Sequence, residues 1–62
     1  MKSMTAAEIK KGDQIRKPGK WEMWVECVGT AEDGRLIIWG AEVQYLNPSD
    51  HVILMQTAWG ES

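Results

Sequence analysis

The chain lacks the cross-links that usually stabilise a very small protein. It contains one cysteine and one histidine among 62 residues, which excludes an internal disulfide and a four-ligand zinc site of the Cys/His type. It also has no apolar run of the length needed for a transmembrane helix or a signal peptide. We therefore expect a cytoplasmic protein that does not bind membranes. A chain of this length allows one domain, residues 1–62.

The residues that are present are those of a folded protein. Apolar residues make up 44% of the chain and include four tryptophans and four methionines, although phenylalanine is absent. That fraction is ordinary for a globular domain and too high for a disordered segment. Packing of these side chains therefore has to supply the stability that cross-links do not.

A helix start is encoded near the N-terminus. The residues Thr5-Ala6-Ala7-Glu8 have the spacing of a capping box, in which a hydroxyl and a glutamate three residues later satisfy amides of the first turn. Gly12 follows two lysines and is typical of a helix end. The pattern predicts one or two helical turns.

From residue 13 onward, apolar residues recur with a period of two, which is typical of β-strands. Turn residues such as Pro18-Gly19 and Asp33-Gly34 separate the segments. Because Asp-Gly is a frequent hairpin turn, the strand before it is predicted to pair antiparallel with the strand after it. The predicted strands are Asp13–Arg16, Trp21–Thr30, Leu36–Trp39, Ala41–Tyr45 and His51–Gln56.

Five short strands in so small a chain bury the most apolar surface by curling into a barrel. We therefore expect an all-β fold, a small five-stranded barrel of the SH3-like or oligonucleotide-binding class with a short N-terminal helical turn. The side chains predicted to fill the barrel are Met23, Val25, Cys27, Val43, Tyr45, Val52 and Leu54.

The entry to the first predicted strand resembles a known family. In the segment Ile9–Ile15, an apolar residue ends a helical turn, Gly12-Asp13 makes a corner, and another apolar residue starts the strand. This arrangement resembles that of small SH3-like β-barrel proteins of bacterial or phage type. The resemblance implies the SH3-like form of the barrel and no particular function, since such barrels have unrelated binding roles. A short chain of this kind also resembles accessory proteins of phages or mobile elements.

The residue types of nucleophilic catalysis occur together only in Ser49-Asp50-His51. Three consecutive residues point in different directions, whereas catalytic triads are assembled from separate segments. We interpret residues 47–50 as a turn with His51 exposed at a strand start. Cys27 lies on the predicted inner face and is interpreted as a core residue. No phosphate loop or dinucleotide motif is present. We therefore expect a non-enzymatic protein without a cofactor.

Several large apolar side chains do not fit inside such a barrel. The predicted outward residues are Trp24, Ile53 and Met55, joined by either the pair Ile37 and Trp39 or the pair Leu36 and Ile38. One interpretation is that the N-terminal turn and a tail containing Trp59 cover this face. The other is that a partner covers it, and we then expect protein–protein contact or homo-oligomerisation through this aromatic and aliphatic face. The predicted contact residues are Trp24, Ile37, Trp39, Ile53 and Met55.

Charge supports two alternative functions. Residues 1–20 contain six basic and two acidic side chains, whereas residues 21–62 contain one basic and seven acidic ones. The basic third favours nucleic-acid binding, with a tryptophan stacking on a base. The acidic remainder favours an inhibitor that occupies a basic site on a host nucleic-acid enzyme. In the protein-contact interpretation, the same acidic side chains would select partners by charge. The candidate nucleic-acid-binding residues are Lys10, Lys11, Arg16, Lys17, Lys20 and Trp21, with Trp24 as a second stacking candidate. The candidate acidic residues are Glu22, Glu26 and Glu42.

Overall fold

The computed structural model describes residues 2–58, and these residues form an all-β fold of two antiparallel sheets. The first sheet has the strand order β1-β7-β2-β3 and the second has the order β4-β5-β6. A single turn of 3₁₀ helix, Ala6–Glu8, follows β1. The strands are β1 (Lys2–Thr5), β2 (Asp13–Lys17), β3 (Trp21–Trp24), β4 (Cys27–Thr30), β5 (Leu36–Trp39), β6 (Val43–Leu46) and β7 (His51–Thr57).

The predicted all-β class is confirmed, but neither sheet closes on itself within residues 2–58. The predicted strand from Trp21 to Thr30 is divided into β3 and β4, which belong to different sheets. Successive amides explain the division. The N–H of Val25 donates to the carbonyl of Asp13 at 2.7 Å, whereas the N–H of Glu26 donates to the carbonyl of Trp39 at 2.7 Å. The chain therefore changes sheets between these two residues.

The N-terminal segment contains a strand as well as the predicted turn. β1 pairs antiparallel with β7, with Met4 opposite Val52, and Met4 is buried. The glutamate side of the capping box is formed, because the Glu8 carboxylate accepts the N–H and the hydroxyl of Thr5, both at 3.0 Å. The helix ends at Glu8 rather than near Gly12. Gly12 has φ 95 and makes the corner before β2, as expected from the Gly-Asp sequence.

One apolar core lies between the sheets and takes side chains from both. Met23, Val25, Val52 and Leu54 are buried, as predicted. The core residues are Met4, Ala6, Ile9, Ile15, Met23, Val25, Ile38, Leu46, Val52 and Leu54. Ile15, Ile38 and Val52 are the largest of the fully buried side chains.

The prediction was wrong for three core residues: Cys27, Val43 and Tyr45 are exposed. The sheet change after Val25 shifts the alternation, so that Cys27 points outward. Val43 and Tyr45 are exposed because β6 presents Leu46 to the core in their place. The predicted anchor Trp59 lies outside the described residues.

Candidate protein-binding surface

The outer side of the three-stranded sheet carries a continuous set of apolar side chains. Ile37 is paired with Tyr45, and Trp39 is paired with both Val43 and Cys27. Directly paired residues point to the same side of a sheet. Trp39, Val43 and Tyr45 remain 38%, 50% and 50% exposed, while Ile37 is half-buried. We call these five residues the apolar face.

Trp39 is held in place on the apolar face by a residue without a side chain. A Cβ atom added to Gly29 would lie 2.8 Å from Cζ3 and 3.0 Å from Cη2 of the Trp39 ring. The ring therefore packs against the backbone of β4. This contact orients the indole while leaving more than a third of the residue accessible, which is the arrangement of a preformed aromatic anchor.

Charged side chains border the apolar face at the β4–β5 loop. The Arg35 guanidinium lies 4.9 Å from the centroid of the Tyr45 ring, within the range of a cation–π contact. Its Nε also donates to Oδ2 of Asp33 at 2.7 Å. The hydrogen bonds from the Arg35 backbone N–H and side chain lower the pKa of Asp33. Both side chains are about half exposed, so this pair shapes the border more than it stabilises the fold.

The outer side of the four-stranded sheet is mostly polar. Gln56 Nε2 donates to Gln14 Oε1 at 2.7 Å, and Gln14 Nε2 donates to Glu22 Oε2 at 3.0 Å. Trp24 is 46% exposed beside this chain of hydrogen bonds, since it is paired with Gln14. Ile53 is half-buried and paired with Arg16.

The structure separates the five predicted contact residues. Ile37 and Trp39 lie together on the apolar face, whereas Trp24 and Ile53 lie on the outer side of the other sheet. Met55 is half-buried where the register between β2 and β7 shifts. Cys27, Val43 and Tyr45 complete the apolar face and were missed, because strand alternation alone had placed them in the core.

The predicted nucleic-acid-binding residues lie along β2 and beyond both of its ends. Lys10 and Lys11 precede β2, whereas Lys17 and Lys20 lie at its other end, about 13 Å away for a five-residue strand. Arg16 is exposed between the two pairs. Lys17 Nζ donates to the His51 carbonyl at 3.3 Å. Trp21 is half-buried and packs against the core, so its ring is not a free stacking surface.

The candidate catalytic residues form a turn and the start of a strand. The Asp50 carboxylate accepts the N–H of Asn47 at 2.9 Å, and the Asp50 N–H donates to the Asn47 carbonyl at 2.9 Å. The predicted turn is therefore confirmed, and His51 is exposed at the start of β7. Within the part of the chain that the structure describes, no three His, Cys, Asp or Glu side chains are grouped so as to hold a metal ion. No helix there is long and apolar enough to cross a membrane.

Two of the candidate acidic residues are brought together. Glu22 and Glu42 line the same surface groove, whereas Glu26 lies at the change of sheet. The apolar face is a separate surface, formed by β4, β5 and β6. No protein-family model, curated protein or solved structure matches this chain.

Proposed function

We propose that this chain is a non-enzymatic binding module that contacts another protein through the apolar face. The observation that carries the proposal is the register of the three-stranded sheet, which sets Ile37 beside Tyr45 and Trp39 beside Val43 on its solvent side. Aromatic residues that are held rigidly and remain accessible are frequent anchors of protein interfaces. Apolar residues scattered singly are normal on a surface, whereas these residues are neighbours across three strands, which favours a contact site.

The strand order supports an SH3-like scaffold for this module. β2 lies between β7 and β3 in one sheet, and the chain then crosses at Val25–Glu26 into a second sheet of three consecutive strands. We propose that this is an open form of the expected SH3-like barrel, preceded by one additional strand, β1. Such a scaffold is consistent with a binding role and does not by itself identify the partner.

The size of the apolar face favours a small structural element of the partner. Three strands of four residues present an area on the order of 200 Å², whereas a standard interface covers about 800 Å² on each protein. A second folded copy docked face to face would therefore be held weakly. An amphipathic helix is about 10 Å wide and covers such a face, so we propose that the occupant is an amphipathic helix of the partner protein.

The proposal is tested by titrating the ¹⁵N-labelled protein with capped amphipathic helical peptides, one of leucine and lysine and one of leucine and glutamate. Both peptides should shift the amides of β4, β5 and β6, because the apolar stripe is common to them. Val43→Ser and Tyr45→Ser should each weaken binding about tenfold, as expected for a residue contributing about 1.4 kcal/mol. Trp24→Ser is the matched control, since it removes an exposed apolar residue from the other sheet, and it should leave the affinity unchanged.

Three outcomes contradict the proposal. Shifts confined to the four-stranded sheet would place binding elsewhere, and an equal loss in Trp24→Ser would show general hydrophobic association. Sedimentation that shows concentration-dependent dimers in the wild type but not in Val43→Ser would make a second copy the occupant, in place of a helix.

A further inference from the structure

A second surface lies along the free edge of β3, which is the last strand of its sheet. The Trp24 carbonyl oxygen lies against Gly40, at a place that an added Cβ would occupy. This oxygen therefore points away from β2, towards the β5–β6 connection. Because backbone groups two residues apart point to the same side of a strand, the N–H and C=O of Glu22 also point away from β2.

The space beside this edge is an open groove of about 480 Å³, a size within the usual range of binding pockets. Its lining residues are Lys20, Trp21, Glu22, Met23, Ala41, Glu42 and Gln44. Four of them are consecutive, namely Lys20 and the first three residues of β3. Successive side chains point to opposite faces of a strand, so a space that touches four in a row runs along the strand's edge. The groove therefore exposes the backbone of β3 between Lys20 and the contact at Gly40.

The walls of the groove carry two carboxylates and one ammonium group. Glu22 projects from β3 and Glu42 from the segment before β6, and each is oriented by a glutamine. Gln14 donates to Glu22 and Gln44 donates to Glu42, both at 3.0 Å. Trp21 also lines the groove, and its side chain packs against the core. Two carboxylates that line one groove suit a planar cation, because guanidinium groups bind carboxylates in pairs.

We propose that this groove binds an extended peptide segment of a partner protein. The segment pairs with the free edge of β3 through the backbone groups of Glu22, as strands added to a sheet edge do. One arginine of the segment lies between Glu22 and Glu42. This site lies between the edge of the four-stranded sheet and the β5–β6 connection, and it uses none of the five residues of the apolar face.

A capped heptapeptide that alternates threonine and arginine is the probe, because threonine favours the extended form and does not offer an apolar stripe to the apolar face. In a titration of ¹⁵N-labelled protein, we expect the largest shifts at the Glu22 amide and the Trp21 indole. Glu22→Gln and Glu42→Gln should each weaken binding about fivefold. Glu32→Gln is the matched control, since it removes the same charge from an exposed position in the β4–β5 loop, and it should change the affinity less than twofold.

Two further peptides test the two parts of the proposal. A version with glutamate in place of arginine should not bind, and a fully N-methylated version, which donates no backbone hydrogen bond, should bind at least tenfold more weakly. The proposal is wrong if the N-methylated peptide binds equally well, or if Glu32→Gln reduces affinity as much as Glu22→Gln does. Absence of shifts at Trp21 and Glu22 at millimolar peptide would also overturn it, and would leave the apolar face as a separate question.

Discussion

At the scale of single residues, the N-terminal turn depends on the Glu8 carboxylate. Hydrogen bonds from the backbone N–H and then from the hydroxyl of Thr5 lower the pKa of Glu8. The folded-state pKa is therefore below the unfolded value of about 4.3. Stability from this group is present above that value and is lost as the pH falls through the folded pKa.

We predict that Glu8→Gln makes unfolding less dependent on pH in the acid range. Urea midpoints of the wild type should fall more steeply than those of Glu8→Gln between about pH 5 and pH 3. Thr5→Val, which removes only the hydroxyl donor, should give an intermediate slope because the larger cause, the backbone hydrogen bond, remains. Identical slopes for the wild type and Glu8→Gln would contradict the role of this carboxylate.

Asp13 carries another carboxylate, and only part of its structure could be predicted from the sequence. The Gly-Asp corner was predictable, because only local dihedral preferences are involved. The 3% exposure of Asp13 was not, because burial depends on how the rest of the chain packs over the corner. Its carboxylate accepts the N–H of Lys10 at 3.0 Å, while its carbonyl accepts the N–H of Val25 at 2.7 Å. The buried carboxylate satisfies one backbone amide within the corner, and the backbone hydrogen bond from Val25 joins the corner to the residue that follows β3.

At the scale of the strands, turns were predictable and faces were not. Gly19 and Gly34 have φ 76 and 91, as their turn sequences require. β6, in contrast, carries apolar residues on both sides, so its alternation does not identify the inner face. That choice comes from its pairing with β5, where Ile38 is fully buried. β1 was missed because only one of its four side chains is buried, which leaves no periodic signal.

The contact between β4 and the Trp39 ring gives a prediction at the same scale. Gly29→Ala places a Cβ within 3 Å of the ring, and the ring has to move from its packed position. We expect a loss of about 1 kcal/mol in unfolding free energy, at the lower end for overpacking. In a Trp39→Leu background the same substitution should cost about zero, because the ring is absent. Urea unfolding of the four proteins in this double-mutant cycle measures the coupling. Equal costs in both backgrounds would show that the ring does not depend on Gly29.

At the scale of the whole molecule, strand pairing decides which residues become neighbours in space. The basic residues of the first third are spread along β2 and beyond both of its ends, and Arg16 in β2 is paired with Glu22 in β3. Glu22 and Glu42 are 20 positions apart in the sequence and line one groove. Long-range strand pairing decides both results, and a single sequence contains no direct signal for it.

The core shared by the two sheets leads to a prediction about how they unfold. Ile38 lies in the three-stranded sheet and is fully buried in a cluster with Ile15 and Val52 of the other sheet. Ile38→Val removes one methylene group and should lower the unfolding free energy by about 1 kcal/mol. Because one core joins both sheets, the slowest-exchanging amides of β5 and of β7 should lose protection by the same amount in native-state hydrogen exchange. Unchanged protection in β7 would mean that the sheets unfold separately, and that the chain crossing at Val25–Glu26 is a hinge between two units.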